Sequence, residues 1–216
     1  MIKELMNVVC KTGLIVLLLL SGGVCRAQEE VITTGCLVFV TDTIGMGNAI
    51  AQSTGQYTHV AIIEVKGEQI NVFEAIPGRG VVCRSFSHFL SDLEQDHPGQ
   101  ELKNYVKILC PNVLFCGDSV VARARRFLGQ PYDDYFLPDN GRMYCSELVY
   151  ECFLDSVGEH VFCQRPMNFK NQDGKVPLYW QQHFQRLGVE IPQGLPGTNP
   201  SDMAREKFMK PLQCVR

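Results

Sequence analysis

The sequence lacks the features that mark membrane-spanning and nucleic-acid-binding chains. Its longest unbroken apolar run, Leu14 to Leu20, is too short to cross a bilayer. No segment combines a stripe of Lys and Arg with interleaved aromatic residues. We therefore expect no transmembrane segment in the mature chain and no nucleic-acid partner. The chain also shows no internal repeat and no low-complexity tract.

The cysteines and histidines of the sequence also lack the spacing that is typical of metal ligands. No two cysteines form a CxxC pair, Cys110 and Cys116 lie six residues apart, and the five histidines show no ligand spacing. Structural zinc sites are typically built on such close pairs. The sequence therefore predicts neither a metal site nor a cofactor.

The first 27 residues have the features of an export signal. Lys3 and Lys11 flank the start, the apolar run follows, and residues 25–27 form a small-x-small site. We predict cleavage after Ala27 and a periplasmic or extracellular protein. A lipid anchor on Cys25 is the alternative, but bacterial lipidation normally prefers Gly, Ala or Ser before the cysteine, where this chain has Val24.

Residues 28–216 are predicted to form a single domain, because 189 residues suit one hydrophobic core. Without the signal, 17 basic and 22 acidic residues leave a net charge of −5. Eight cysteines remain, and disulfides are the first expectation in an exported chain. Four of them lie near the ends of predicted elements and leave their pairing open: Cys110, Cys116, Cys163 and Cys214.

The hydrophobic periodicity predicts a chain of mixed helices and strands. The predicted strands cover residues 35–42, 58–66, 69–76, 80–86 and 105–110. The predicted helices cover residues 87–95, 116–128, 145–157, 177–188 and 201–208, with a short helix or loop at 44–55 and a loop at 129–141. Successive strands joined by tight turns indicate an antiparallel meander.

Cys145 stands at the predicted start of a helix. Leu148, Val149 and Cys152 recur at three- and four-residue steps after it, and Gly158 is the predicted stop. Unpaired backbone N–H groups at a helix N-terminus favour a thiolate, so Cys145 is a candidate nucleophile. Its own backbone N–H is a candidate donor to an oxyanion.

A predicted hairpin brings a histidine to a carboxylate. A two-residue turn at Lys66 and Gly67 would place His59 directly opposite Glu74. A carboxylate there would orient the imidazole and stabilise its protonated form, as a catalytic base requires. A lone histidine near a strand start can also be an ordinary surface or core residue, and a one-residue bulge would put the two side chains on opposite faces.

The order of five segments resembles the permuted papain-like amidases of the NlpC-related, YiiX-like group. The segments are GCLVFVTD, YTHVAIIE, NVFEA, GQPYDDYF and YCSELVYECF, between Gly35 and Phe153. The resemblance implies an α+β, circularly permuted papain-like fold, with a central antiparallel sheet and the nucleophile helix packed against it. It also implies that Cys145 is the nucleophile, His59 the general base and Glu74 the orienting residue.

The chain departs from that pattern at Cys36, where relatives commonly have an aspartate; Cys36 is a candidate disulfide partner. Tyr132, Asp133 and Tyr144 either line the site or pack the loop. The tail from Gln164 onward has no recognisable motif, and its helix around Trp180 either caps a pocket or completes the core.

The combined interpretation is an exported cysteine hydrolase that cleaves an amide or ester bond through a thioester acyl-enzyme. Its candidate substrates are cell-wall peptides, N-acyl amino acids and lipids. The alternatives are an acyltransferase with the same triad, a catalytically silent binding module, and a disulfide-stapled structural protein in which Cys145 is oxidised. The sequence leaves the oligomeric state open.

Overall fold

The centre of the protein is a six-stranded antiparallel sheet. The computed structural model describes residues 32–212. The sheet strands are β1 (Leu37–Val40), β2 (His59–Lys66), β3 (Gln69–Ile76), β4 (Gly80–Ser85), β5 (Val106–Pro111) and β8 (Met209–Pro211). They lie side by side in the order β4-β3-β2-β1-β5-β8. Two short strands, β6 (Arg165–Pro166) and β7 (Pro196–Gly197), form a separate ribbon. The predicted signal peptide, with Cys25, and the cysteine at 214 lie outside the described residues.

Helices cover both faces of the sheet. They are α1 (Gly45–Thr54), α2 (Phe86–Asp96), α3 (Gly117–Arg126), α4 (Cys145–Cys152), α5 (Leu178–Leu187) and α6 (Pro200–Arg205), with a short 3₁₀ turn at Leu102–Asn104. Helix α4 packs against β2 and β3. The prediction of an α+β fold with a central antiparallel sheet and the Cys145 helix against it is confirmed.

Two hydrophobic cores result from the alternation of side chains along the strands. Ile62 and Phe73 face the larger core, which α3, α4 and α5 complete. Ala61, Ile63 and Val72 face the smaller core, which α2 covers. Within each strand, odd-numbered and even-numbered residues therefore face different cores.

Among residues 32–212, none of the helices combines the length and the apolar character that a membrane crossing needs.

The predicted register of the β2–β3 hairpin is wrong by two residues. Lys66 pairs with Gln69 and Ile63 with Val72, so the turn consists of Gly67 and Glu68. Gly67 has φ +61, a conformation that glycine adopts readily at the first position of such a turn. Because the shift is an even number, His59 and the glutamate at 74 still share a face, as diagonal neighbours in place of direct ones.

Helix α4 ends at Cys152, six residues before the predicted stop at Gly158. The reason is a turn closed by Asp155, whose Oδ1 accepts the N–H groups of Val157 and Glu159 at 2.9 Å each. Local bonds of this kind compete with helical ones. Strands β6, β7 and β8 were not expected, because runs of two or three residues show no measurable alternation.

One disulfide joins the start of β1 to the end of β5. It links Cys36 to Cys110, which are 74 residues apart in sequence. The structure therefore makes Cys36 the partner of Cys110, whereas Cys116 and Cys163 are free and exposed, contrary to the prediction for these two. The bond ties together neighbouring strands on the smaller core.

Replacing Cys36 and Cys110 together by serine is expected to lower the free energy of unfolding by about 2–4 kcal/mol, because the bond restricts a long stretch of the unfolded chain. Urea denaturation measures the change. Cys83→Ser, at a free and exposed cysteine of β4, is the control and should cost less than about 0.5 kcal/mol. A double variant as stable as the control would contradict the bond.

Candidate active site

The first turn of α4 positions Cys145. The preceding residue, Tyr144, is extended, and its backbone N–H donates to the Glu147 carboxylate at 3.3 Å, which caps the helix start. Burial raises the pKa of Glu147 to about 8, whereas the N–H of Tyr144 opposes that rise. Cys145 is only 5% exposed and lies at the base of a cavity. The thiol thus lies where a helix N-terminus meets a cavity that opens to solvent.

His59 begins β2 and reaches both Glu74 and Cys145. Its Nε2 lies 2.7 Å from Oε2 of Glu74, and the ring is close enough to the Cys145 sulfur for the two groups to interact. Because Nε2 is engaged by the carboxylate, Nδ1 is the nitrogen left for the sulfur. Thr58 holds the start of this strand by donating its N–H to the Val40 carbonyl at 2.8 Å. The three sequence-predicted residues therefore form one connected chain of contacts.

These contacts decide the charges of His59 and Glu74. Burial alone would lower the pKa of His59, but the hydrogen bonds and negative charges of Cys145 and Glu74 raise it to about 10. Burial alone would raise the pKa of Glu74, but its hydrogen bond and charge interaction with His59, and then those with Arg84, lower it below its ordinary value. A carboxylate beside an imidazolium is the favoured state at neutral pH.

Arg84 on β4 completes the environment of Glu74. Its Nε donates to Oε1 of Glu74 at 2.5 Å, and its Nη1 donates to Asp92 of α2. The Glu74 carboxylate is 2% exposed, so both of its oxygens have charged partners in the protein. Sequence reasoning missed Arg84. The strand pattern could have indicated this partner. Alternation along β4 places the charged side chain on the same face as Val82, which pairs with Glu74.

The structure separates the three residues that the sequence grouped as a possible lining. Tyr132 and Tyr144 line the cavity together with Cys145. Asp133 is fully buried behind it, and its carboxylate accepts the backbone N–H groups of Tyr135 and Leu137 at 2.9 and 2.8 Å. Asp133 therefore organises the loop and does not face a substrate.

The phenol of Tyr132, which lines the cavity with Cys145, has no strong hydrogen-bond acceptor among the described residues. The ring is 6% exposed, and its O–H has only the weak acceptor Sδ of Met46, at 3.8 Å. Burial raises the pKa of Tyr132 well above its ordinary value, and the negative charge of Cys145 adds to the effect. Its hydroxyl is therefore a proton donor that stays protonated next to Cys145.

The cavity beside Cys145 is open to solvent, and about 500 Å³ of empty space lies within it and its mouth together. Helix α1 supplies one wall and the tail supplies the other. The lining residues are Ile50, Ser53, Thr54, Thr58, Tyr132, Phe136, Tyr144, Cys145, Ser146, Met167, Asn168, Phe169, Trp180, Thr198, Asn199 and Pro200. Trp180 both lines the cavity and belongs to the larger core, which resolves the two roles left open for its helix.

Sequence reasoning missed most of the tail's contribution. Met167, Phe169 and Thr198 come from irregular segments with no periodic pattern. Trp180, the only tryptophan in the chain, was the one signal there. Among residues 32–212, no group of three or more His, Cys, Asp or Glu side chains is arranged to hold a metal ion.

Comparison with known proteins matches the sequence of this chain to a family model. A family model described as the permuted papain-like amidase enzyme, YaeF/YiiX, C92 family, matches residues 31–213. The uncharacterized protein YiiX of Escherichia coli strain K12 is 26% identical over 161 residues, which are 74% of this chain and 75% of YiiX.

A solved structure also shares the fold. The crystal structure of an Escherichia coli O157:H7 protein, described as the metalloprotein yiiX, superposes with a TM-score of 0.66. The match covers 83% of this chain and 95% of that one, at 21% identity. At this identity the likeness concerns the fold alone.

His59 is expected to remain protonated above neutral pH and to release its proton near pH 10. Because this pKa lies above the ordinary value of 6.5, its contribution to stability is complete below pH 6.5 and is lost as the pH rises through about 10. The stability difference between the wild type and His59→Gln should therefore shrink over that range. NMR titration of the ring, with His59→Gln to identify its signal, measures the pKa directly.

Cys145→Ser provides the matched control for that titration. A serine hydroxyl does not carry the thiolate charge, so the pKa of His59 should fall in this variant while Glu74 keeps the ring oriented. A ring that deprotonates below pH 7 in the wild type would contradict the proposed contacts with Cys145 and Glu74.

Proposed function

The chain belongs to the permuted papain-like amidase family, YaeF/YiiX, C92, and is thus a cysteine enzyme of the amidase or peptidase type; within it, we propose that Cys145, His59 and Glu74 are the catalytic triad. The observation that carries the proposal is the unbroken chain of contacts from the thiol to His59 and on to the buried Glu74. A nucleophile, a base and an orienting carboxylate in contact are the requirement for thiol-based acyl transfer.

Acylation begins from a thiolate and imidazolium pair. The Cys145 sulfur attacks the carbonyl carbon of an amide or ester, which forms the C–S bond and places negative charge on the carbonyl oxygen. His59 then donates its proton to the leaving amine or alkoxide as the original bond to carbon breaks. Glu74, fixed by Arg84, keeps the ring in one orientation throughout.

Hydrolysis of the acyl-enzyme restores the pair. Neutral His59 accepts a proton from water, the hydroxide oxygen bonds to the thioester carbon, and the C–S bond breaks. The products are a carboxylic acid, the Cys145 thiolate and the His59 imidazolium. The described residues do not fit a metal centre, so each proposed step uses only side chains, backbone groups and water.

Two groups are proposed as donors to the oxyanion. The backbone N–H of Cys145 is at the start of α4, where it has no helical acceptor. The second donor is the Tyr132 hydroxyl, which stays protonated and lacks a strong acceptor of its own. Donors held in this way before reaction contribute strongly to catalysis in a site that excludes water.

Export is proposed on two grounds. The first is the signal-like sequence of residues 1–27. The second is the disulfide between Cys36 and Cys110, a bond that persists in the periplasm or outside the cell. Cell-wall peptides, N-acyl amino acids and lipids, which contain amide or ester bonds, are the candidate substrates for such an exported enzyme.

Iodoacetamide is expected to alkylate Cys145 faster than the other free cysteines, and the rate should fall at least about tenfold in His59→Ala, since only the thiolate reacts. Peptide mapping by mass spectrometry measures each site separately. Cys116 is the internal control, because it is exposed and bonds from Ser119 lower its pKa independently of His59. A Cys145 found in a disulfide, or one that reacts equally in both proteins, would refute the mechanism.

Tyr132→Phe is expected to reduce the rate of Cys145 acylation by a nitrophenyl ester about 100-fold, with little change in stability, because one oxyanion donor is lost. Stopped-flow release of nitrophenolate measures the rate. Tyr135→Phe, a tyrosine of the same loop that does not line the cavity, is the matched control. If both variants acylate at the wild-type rate, Tyr132 packs the loop and does not assist the reaction.

A further inference from the structure

The wall of the cavity, as residues 32–212 form it, is built from uncharged side chains. None of the sixteen described residues that line it is Asp, Glu, Lys, Arg or His. Its largest members are apolar or aromatic, among them Phe136, Phe169 and Trp180. A group bound against this wall would find surface to exclude water and, among these sixteen side chains, no opposite charge to pair with.

The polar side chains of the wall are already bonded to the protein. Trp180 donates to the Ser53 hydroxyl at 3.2 Å, and Asn168 donates to the Ser53 carbonyl at 2.7 Å. Thr54 donates to the Ile50 carbonyl at 3.0 Å. These groups have their partners within the fold, so they offer little compensation to a charged ligand.

The polar side chains that the tail contributes to the wall are also bonded to the protein. The Tyr144 hydroxyl accepts the backbone N–H of Thr198 at 3.1 Å, and the Thr198 hydroxyl donates to Ser146 at 3.1 Å. Asn199 is held by Asp202, with its Oδ1 accepting the Asp202 N–H at 2.8 Å. The polar side chains on both sides of the cavity therefore already have partners within the protein, and none of them is charged.

The aromatic part of the wall is pre-formed. Phe136 lies edge-on to Trp180 with ring centroids 5.6 Å apart, and Phe169 packs perpendicular to Trp180 at 5.2 Å. Interlocked rings of this kind hold their shape without a ligand. Apolar pockets with a few convergent polar groups are the usual form of small-molecule sites.

We propose that this cavity is the acyl site and that it takes an uncharged, apolar acyl group, such as a fatty-acyl or aromatic acyl chain. The proposal rests on the proposed function, because the acyl group is the part of the substrate that stays bonded to Cys145 as the thioester. Stem peptides of the cell wall carry carboxylates and ammonium groups near their amide bonds. Such charged groups would lose their hydration in the cavity and gain no partner.

The test compares the rates at which three nitrophenyl esters acylate the mature wild-type protein. Their acyl groups are hexanoyl, glutaryl and acetyl. Hexanoyl and glutaryl have similar length, but glutaryl ends in a carboxylate. Acylation forms the C–S bond to Cys145 and releases nitrophenolate, so one absorbance measurement reports all three rates. Hexanoyl is expected to react at least about tenfold faster than acetyl and at least about tenfold faster than glutaryl, after correction for reaction with a free thiol.

Thr54→Lys tests whether the preference comes from the wall. Thr54 is half-buried in α1 and lines the cavity, so a lysine there would supply the missing positive charge. The ratio of glutaryl to hexanoyl rates should rise at least about tenfold. Gln52→Lys adds the same charge on an exposed position of the same helix, and it should leave the ratio unchanged.

The outcomes separate the two proposals. If Cys145 is acylated but glutaryl reacts as fast as hexanoyl in the wild type, the acyl-site proposal is overturned and the hydrolase proposal stands. If no ester acylates Cys145 while Cys145→Ser and the wild type behave alike, the proposed function itself fails. Equal responses of Thr54→Lys and Gln52→Lys would show that the charge acts from outside the cavity and would also overturn the acyl site.

Discussion

The buried carboxylate of Glu74 constrains the rest of the structure. A charged group with 2% exposure requires a partner for each oxygen, and the partners are His59 on one side and Arg84 on the other. Arg84 in turn bonds to Asp92 on α2, so the helix over the smaller core is part of the same network. The orientation of the His59 imidazole, which lies beside Cys145, depends on this charge being held in place.

The site forms at one end of the sheet because its components come from both faces. By strand alternation, His59 and Glu74 share the face covered by α2, whereas α4 packs on the opposite face. Cys145 is the first residue of α4 and His59 the first residue of β2, so the two meet at the sheet end without crossing it. The tail then encloses the thiol, with Trp180 filling both the core and the wall of the cavity.

Prediction from the sequence succeeded where a local pattern was sufficient. The meander, the helix at Cys145 and the shared face of His59 and Glu74 all follow from periodicity, and an error of two residues in the turn left that face unchanged. Prediction failed where side-chain bonds compete with periodicity, as at Asp155, which ends α4 early. It also failed for Cys116 and Cys163, because proximity between distant cysteines leaves no trace in spacing.

The sequence by itself determined the fold class and the residues with the right chemistry for the site, since periods of 2 and 3.6 and the ordered segments around His59, Glu74 and Cys145 are local properties. Only the tertiary structure decided which groups surround them: the partnership of Arg84 with Glu74, the disulfide of Cys36 with Cys110, and the uncharged wall that α1 and the tail build over the thiol. The physical reason is that contacts across the sheet and between distant segments depend on register and packing, which arise when the whole chain buries its apolar surface together.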